Sequence, residues 1–175
     1  AQRTKIAVGY AVAQAVKSTL GPRGMDKMLV DDMGDIVITN DGATILQEMN
    51  IEHPAGKMMV EIAKTQDQEV GDGTTTAVVF AGELLKKSLE LLDQNIHAST
   101  IITGYKQAAD RSQKLLLDIG ESVTIKDIST LEKIGAVAMG SKTIGVGATK
   151  NTLSKLVVQA VTQVGELKDG KITID

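Results

Sequence analysis

Asp72 stands between Gly71 and Gly73, ahead of Thr74, Thr75 and Thr76, and the apolar run Ala77-Val78-Val79-Phe80-Ala81 follows. That order fits a loop entering a helix whose first turn faces an anion. Glycines let a backbone come close to a ligand. The first amides of a helix have no intrahelical partner, and the helix dipole favours negative charge there. The threonine hydroxyls add donors. A carboxylate beside a phosphate repels it unless a divalent cation lies between, so the residues describe a Mg²⁺-phosphate site, most simply for a nucleotide. A second reading needs no ligand: Asp72 as a helix N-cap, which stabilises a helix by about 1 kcal/mol.

Three other segments could face the same site. Gly21-Pro22-Arg23-Gly24 makes a tight backbone loop at the end of a helix, or simply a helix C-cap and turn. It is not a Walker A loop, because Lys27 is offset and no Ser or Thr follows it. In Asn40-Asp41-Gly42-Ala43-Thr44, Asp41 could orient an attacking water or share the metal's charge; equally, it could cap the helix bearing Ile45 and Leu46. Ser141-Lys142 lies in a glycine-rich loop, from which a lysine can reach a terminal phosphate as a point charge or simply sit in solvent.

The elements that must position these residues are mostly helical. Ile6, Tyr10, Ala13, Val16 and Leu20 recur at helical spacing over 4–20, and Gly21-Pro22 ends that helix. Short strands are expected at 28–32 and 35–39 around Gly34. Asn40-Asp41-Gly42 turns into a short helix carrying Ile45, Leu46 and Met49. Pro54 suits the first turn of the next helix, with an apolar stripe of Ala55, Met58, Met59, Ile62 and Ala63. The helix after Asp72 runs to about residue 93, is apolar nearly all round at its start, and is expected deep in a core. Ser99 or Thr100 is the expected cap of a long helix with Ile101, Ile102, Tyr105, Ala109, Ser112, Leu116 and Ile119 on one stripe. The character changes between Gly120 and Lys126, a candidate boundary. A short helix from about Ser129 to Ala138, the loop from Gly140 to Gly147, and a helix carrying Leu153, Leu156, Val157, Ala160 and Val164 come next. A lone strand over 171–175 closes the chain. No second β-rich block is visible to receive it. It and the first hairpin are therefore expected to pair with another chain or with further sequence.

Composition narrows the class. The chain has 175 residues, 42% of them hydrophobic, with one Phe, two Tyr, no Trp and seven Met, so aliphatic side chains fill the core. A net charge of −3 argues against a nucleic-acid face. No unbroken apolar stretch of about eighteen residues suggests a membrane span. The N-terminal residues do not resemble a secretory signal. Cysteine is absent, which excludes disulfides and thiolate metal sites and fits a cytoplasmic protein. The two histidines, His53 and His97, sit near expected helix starts rather than in a ligand cluster.

Taken in register, Ser18-Thr19-Leu20-Gly21-Pro22-Arg23-Gly24-Met25-Asp26-Lys27-Met28, Thr39-Asn40-Asp41-Gly42-Ala43-Thr44-Ile45-Leu46 and Val70-Gly71-Asp72-Gly73-Thr74-Thr75-Thr76 resemble the group II chaperonins, the archaeal thermosome and its eukaryotic cytosolic relatives. The resemblance runs from the first helix to residue 175. It implies a mainly α fold with small β elements: the N-terminal half of an equatorial ATPase domain over 1–124 and the first segment of an α/β intermediate domain over 125–175. The apical domain and the C-terminal halves of such subunits are absent from this sequence. It also implies an ATP-hydrolysing, protein-folding subunit of a stacked double ring, with unfolded proteins as clients, sister subunits as partners, and neither nucleic acid nor membrane. Carried across, Leu20, Gly21, Pro22, Gly42, Gly73, Thr74, Thr75, Thr76, Ser141 and Lys142 bind ATP, Asp72 holds Mg²⁺, and Asp41 helps to activate the hydrolytic water. Around Gly140 to Lys150 the sequence departs from the thermosome pattern toward the eukaryotic one. The alternative is a non-catalytic assembly or scaffold piece that keeps part of the pocket as a fold determinant. For the 175 residues alone, weak ATP binding and no hydrolysis are expected.

Overall fold

The computed structural model describes residues 2–140, 148–168 and 171–173. The chain divides into two units, Ala1–Leu20 with Gly24–Gly120, and Gly21–Arg23 with Glu121–Asp175.

The first unit is built on a helix over Gln2–Lys17 (α1), whose Gly9, Val12, Ala13 and Val16 are buried. It ends where the Thr19 hydroxyl and amide both turn back to the Val16 carbonyl, at 2.8 and 3.0 Å. Strands Lys27–Val30 (β1) and Ile36–Thr39 (β2) pair antiparallel, with Leu29 opposite Val37. Their turn is held by Asp31, whose Oδ1 accepts from the amides of Met33 and Asp35. Leu29 packs on the core, while Met28, Val30, Ile36 and Ile38 face outward.

Helices Gly42–Glu48 (α2), Pro54–Val70 (α3), Thr74–Asp93 (α4) and Ala98–Ile119 (α5) follow. The core gathers Val12, Ala13 and Val16 of α1, Ala43, Ile45 and Leu46 of α2, Met59 and Ala63 of α3, and Val78 of α4. The closest seam is between α1 and α4. A Cβ on Gly82 would overlap the Ala13 side chain, and one on Gly9 would stand 2.6 Å from Leu85 Cδ1. Small residues thus set the helix spacing here. Arg3–Asp93 and Lys17–Glu83 ion pairs, at 2.7 and 2.9 Å, link the same two helices along their exposed edge.

Several expectations change. The stripe expected on α3 is only partly buried: Met59 and Ala63 are inside, but Met58 is exposed and lines an open groove with Pro54 and Ile62. The start of α4 is not buried all round, because Phe80 faces solvent. On α5, Ile101 is buried and the Tyr105 hydroxyl donates to the Leu84 carbonyl at 2.7 Å, yet Leu116 and Ile119 are exposed. Neither Ser99 nor Thr100 caps α5. His97 does, through Nδ1 accepting from the Ser99 amide at 3.2 Å, and His53 caps α3 in the same way through the Ala55 amide.

In the second unit, helices Ile128–Met139 (α6) and Ala148–Val164 (α7) pack together. Ser154 and Val158 are buried, and both lie beside the open Cα of Gly135. Asp127 precedes α6 and accepts from the Thr124 amide and hydroxyl, which hold its carboxyl below the usual range. The closing strand is not alone: Lys171–Thr173 (β4) pairs antiparallel with Glu166–Lys168 (β3). The partner escaped notice because Glu-Leu-Lys contains no β-branched residue.

Candidate nucleotide site

The Asp72 loop joins two long helices with two left-handed glycines. Gly71 (φ 70°) closes α3, its amide donating to the Asp67 carbonyl at 2.9 Å. Gly73 (φ 75°) occupies the N-cap position of α4, and no side chain caps that helix. Asp72 is therefore not the N-cap that the sequence left open. It lies one residue earlier, with Oδ1 accepting from the Gly73 amide at 2.8 Å, while Gln66 Nε2 donates to its carbonyl at 2.8 Å. Asp72 is exposed, and its Oδ2 has no hydrogen bond among the described residues. Behind it, Thr74 and Thr75 are buried and Thr76 is exposed.

Asp41 does cap a helix. Its Oδ2 accepts from both the amide and the hydroxyl of Thr44, at 2.9 and 2.8 Å, and its own amide donates to Thr39 Oγ1 at 3.1 Å. The next residue, Gly42, is buried against α4. A Cβ there would overlap Thr75 Oγ1 and stand 3.1 Å from the Thr75 Cα. The starts of α2 and α4 thus meet, which brings Asp41 and Gly42 beside the Thr74-Thr75 turn.

Leu20 is half-exposed in the turn after α1. Gly21 has a left-handed φ of 84° with no atom within 4 Å of where a Cβ would lie, and with Pro22 it belongs to the second unit. Ser141 and Lys142 lie outside the described residues. Sequence reasoning passed over Thr39, Thr44 and Gln66, the groups that hold the two aspartates. The Asp-x-x-Thr spacing of Asp41 and Thr44 was the one available signal, being a relative of the capping box.

These residues fit a Mg-nucleotide. Mg²⁺ typically takes one or two carboxylates, with phosphates and waters completing its shell. An exposed carboxylate with one unbonded oxygen, next to a helix start without a side-chain cap, supplies that donor set. Among the described residues no group of three or more His, Cys, Asp or Glu forms an all-protein metal cage.

The chain matches the TCP-1/cpn60 chaperonin family across residues 12–175. It belongs to that family. Within it, the chain is 56% identical over its whole length to a thermosome subunit of Methanopyrus kandleri. It is 57% identical to a thermosome subunit of Pyrococcus abyssi and 55% identical to thermosome subunit alpha of Archaeoglobus fulgidus, again over its whole length. In each case it spans 32% of the relative. A chaperonin origin accounts for the mainly helical unit with a small antiparallel hairpin. Among the described residues, no helix of this chaperonin chain is long and apolar enough to cross a membrane.

Proposed function

We propose that this chain is part of a group II chaperonin subunit and contributes one half of its Mg-ATP site, and that hydrolysis in the whole subunit drives closure of a cytoplasmic double ring around unfolded protein. Residues 1–124 form half of the equatorial ATPase domain and 125–175 the first segment of the intermediate domain. The observation that carries the reading is the meeting of the α2 and α4 starts. It sets the Asp41 carboxylate beside a helix N-terminus that has no side-chain cap and is preceded by Asp72.

Gly73, Thr74, Thr75 and Thr76 take the phosphates through the amides and hydroxyls of the α4 start, favoured by the helix dipole. Gly42 closes the pocket wall against Thr75. Asp72 holds Mg²⁺, which when bound neutralises phosphate charge. Asp41 orients the attacking water. The water oxygen bonds to the γ-phosphorus while the bond from that phosphorus to the β–γ bridging oxygen breaks. The electron pair leaves with ADP, and a water proton passes to solvent. The α4 amides stabilise charge that develops on the γ-phosphoryl oxygens.

In the full-length subunit, Asp41→Ala should leave ATP binding intact and slow turnover by ~10²–10⁴-fold, the usual worth of such a group. Asp72→Ala should abolish Mg²⁺-dependent nucleotide binding. Unchanged turnover in the first variant and unchanged affinity in the second would overturn the reading.

The partner surface is the β1–β2 hairpin. The Asp31 amide bonds to the Asp35 carbonyl, so by antiparallel alternation the amide of Val37 faces Leu29 and those of Ile36 and Ile38 face away. A neighbouring subunit's strand would add at that open edge. Ile38→Pro should therefore block ring assembly while leaving the subunit folded; intact rings by sedimentation would contradict it.

A further inference from the structure

We propose that Thr44 is a positioning residue for the hydrolysis described above, holding Asp41 so that Oδ1 is the oxygen presented to the water. The inference rests on that reading of Asp41. A carboxylate that orients water must offer one oxygen in a fixed direction. Both hydrogen bonds to Asp41 from Thr44, from its amide and from its hydroxyl, converge on Oδ2. Among the described residues Oδ1 takes none. The backbone beneath is held as well: the Asp41 amide donates to Thr39 Oγ1, and Gly42 is seated against Thr75.

Capping α2 accounts for only part of this. An N-cap needs a side-chain oxygen on the amide two or three residues on, and the Thr44 amide already provides that bond. The hydroxyl bond is additional. It comes from a β-branched residue inside a helix, a position where such residues are mildly disfavoured. Its geometric effect is to remove the freedom of the carboxylate to exchange its two oxygens about the terminal side-chain torsion, which is otherwise broad and two-fold. Gly42 fixes where the carboxylate stands, and Thr44 fixes which oxygen faces the site.

The test uses the full-length subunit and Mg-ATP. Turnover is measured for Asp41→Ala, Thr44→Val and Thr44→Ser, with nucleotide affinity and thermal melting alongside. Thr44→Val keeps the shape and the capping amide but loses the hydroxyl. Its kcat should fall about tenfold, the order expected for one misaligned hydrogen bond, with KM and affinity unchanged, and Thr44→Ser should restore most of the rate. Wild-type kcat in Thr44→Val, with Asp41→Ala slow, would overturn the inference and leave the role of Asp41 standing. Wild-type turnover in Asp41→Ala would remove both. Should valine disturb α2, Thr44→Ala, a stronger helix former, gives the same comparison. A loss of rate that follows lost melting temperature and is not rescued by serine also overturns the proposal.

Discussion

α1 and α5 carry the same helical spacing of apolar residues in very different surroundings. On α1, Val12, Ala13 and Val16 are sealed beneath α3 and α4. On α5, Ile101 alone is buried, and beyond Tyr105 the side chains of Leu115, Leu116, Leu117 and Ile119 are between 50% and 81% exposed. The difference lies in the partners. α4 offers α1 a glycine at Gly82, into which Ala13 fits, whereas α5 is tied to α4 by the hydrogen bond from Tyr105 to the Leu84 carbonyl. Periodicity marks a face that gains from being covered. Whether this chain covers it depends on another element of matching shape. A contiguous apolar surface such as the end of α5 marks a place for further protein to pack, or a liability for association.

The contrast is sharpest in the core. Leu46, 1% exposed, should cost about 2–5 kcal/mol when cut to alanine, as buried leucines do. Leu116→Ala, at a residue 65% exposed, should change stability by no more than about 0.5 kcal/mol. Urea unfolding followed by circular dichroism checks both, and a large cost at Leu116 would show that the end of α5 is packed after all. The 175-residue chain should also self-associate through that surface, since apolar area drives burial at about 25 cal/mol per Å². Replacing Leu115, Leu116 and Leu117 with serine should lower its light scattering; unchanged scattering would point to another patch.

Two smaller effects test the ends and edges of the helices. His97→Ala removes the cap of α5 and should cost about 1 kcal/mol, with faster hydrogen exchange at the Ser99 amide. Between α1 and α4, Lys17 hydrogen-bonds Glu83, which lowers the Glu83 carboxyl and raises the Lys17 ammonium. The depressed acid adds stability above the ordinary carboxylate range that is lost as pH falls through its lowered value. The raised base adds stability below the ordinary lysine range that is lost as pH rises through its elevated value. Both groups are solvent-exposed, so the effect is the smallest here. Glu83→Gln should flatten the acid side of a melting-temperature profile, and an unchanged slope would remove the pair from consideration.

What was legible followed from local chemistry. The helix over α1 was readable because Ala13 and Val16 of the expected stripe are buried, although it ends at Lys17 rather than at residue 20 and Leu20 lies exposed beyond it. The Gly71–Thr76 loop was readable because glycine, acid and hydroxyl each have a short-range role. The caps of α3 and α5 were not, because a histidine acting through Nδ1 looks like any other histidine in a sequence. The outward turn of Met58 and Phe80 was hidden for a different reason: an apolar residue does not declare which neighbour it has. The approach of Gly42 to Thr75 joins residues far apart in the chain, and only packing reveals it.

Gly71 and Gly73 place two left-handed residues on either side of Asp72, and crowding is not what demands glycine there. A Cβ on Gly71 would come no closer than 4.0 Å to the Asp67 carbonyl oxygen, and one on Gly73 would lie 3.5 Å from Gln66 Nε2. The constraint is handedness, not volume. A mirror-image amino acid favours positive φ as strongly as a natural one avoids it. A chain assembled by chemical ligation with D-alanine at both positions should keep the loop, whereas L-alanine should distort it. The ribosome has no D-residues to offer, so the genetic code can meet a chiral requirement here only by supplying the one residue that has no chirality.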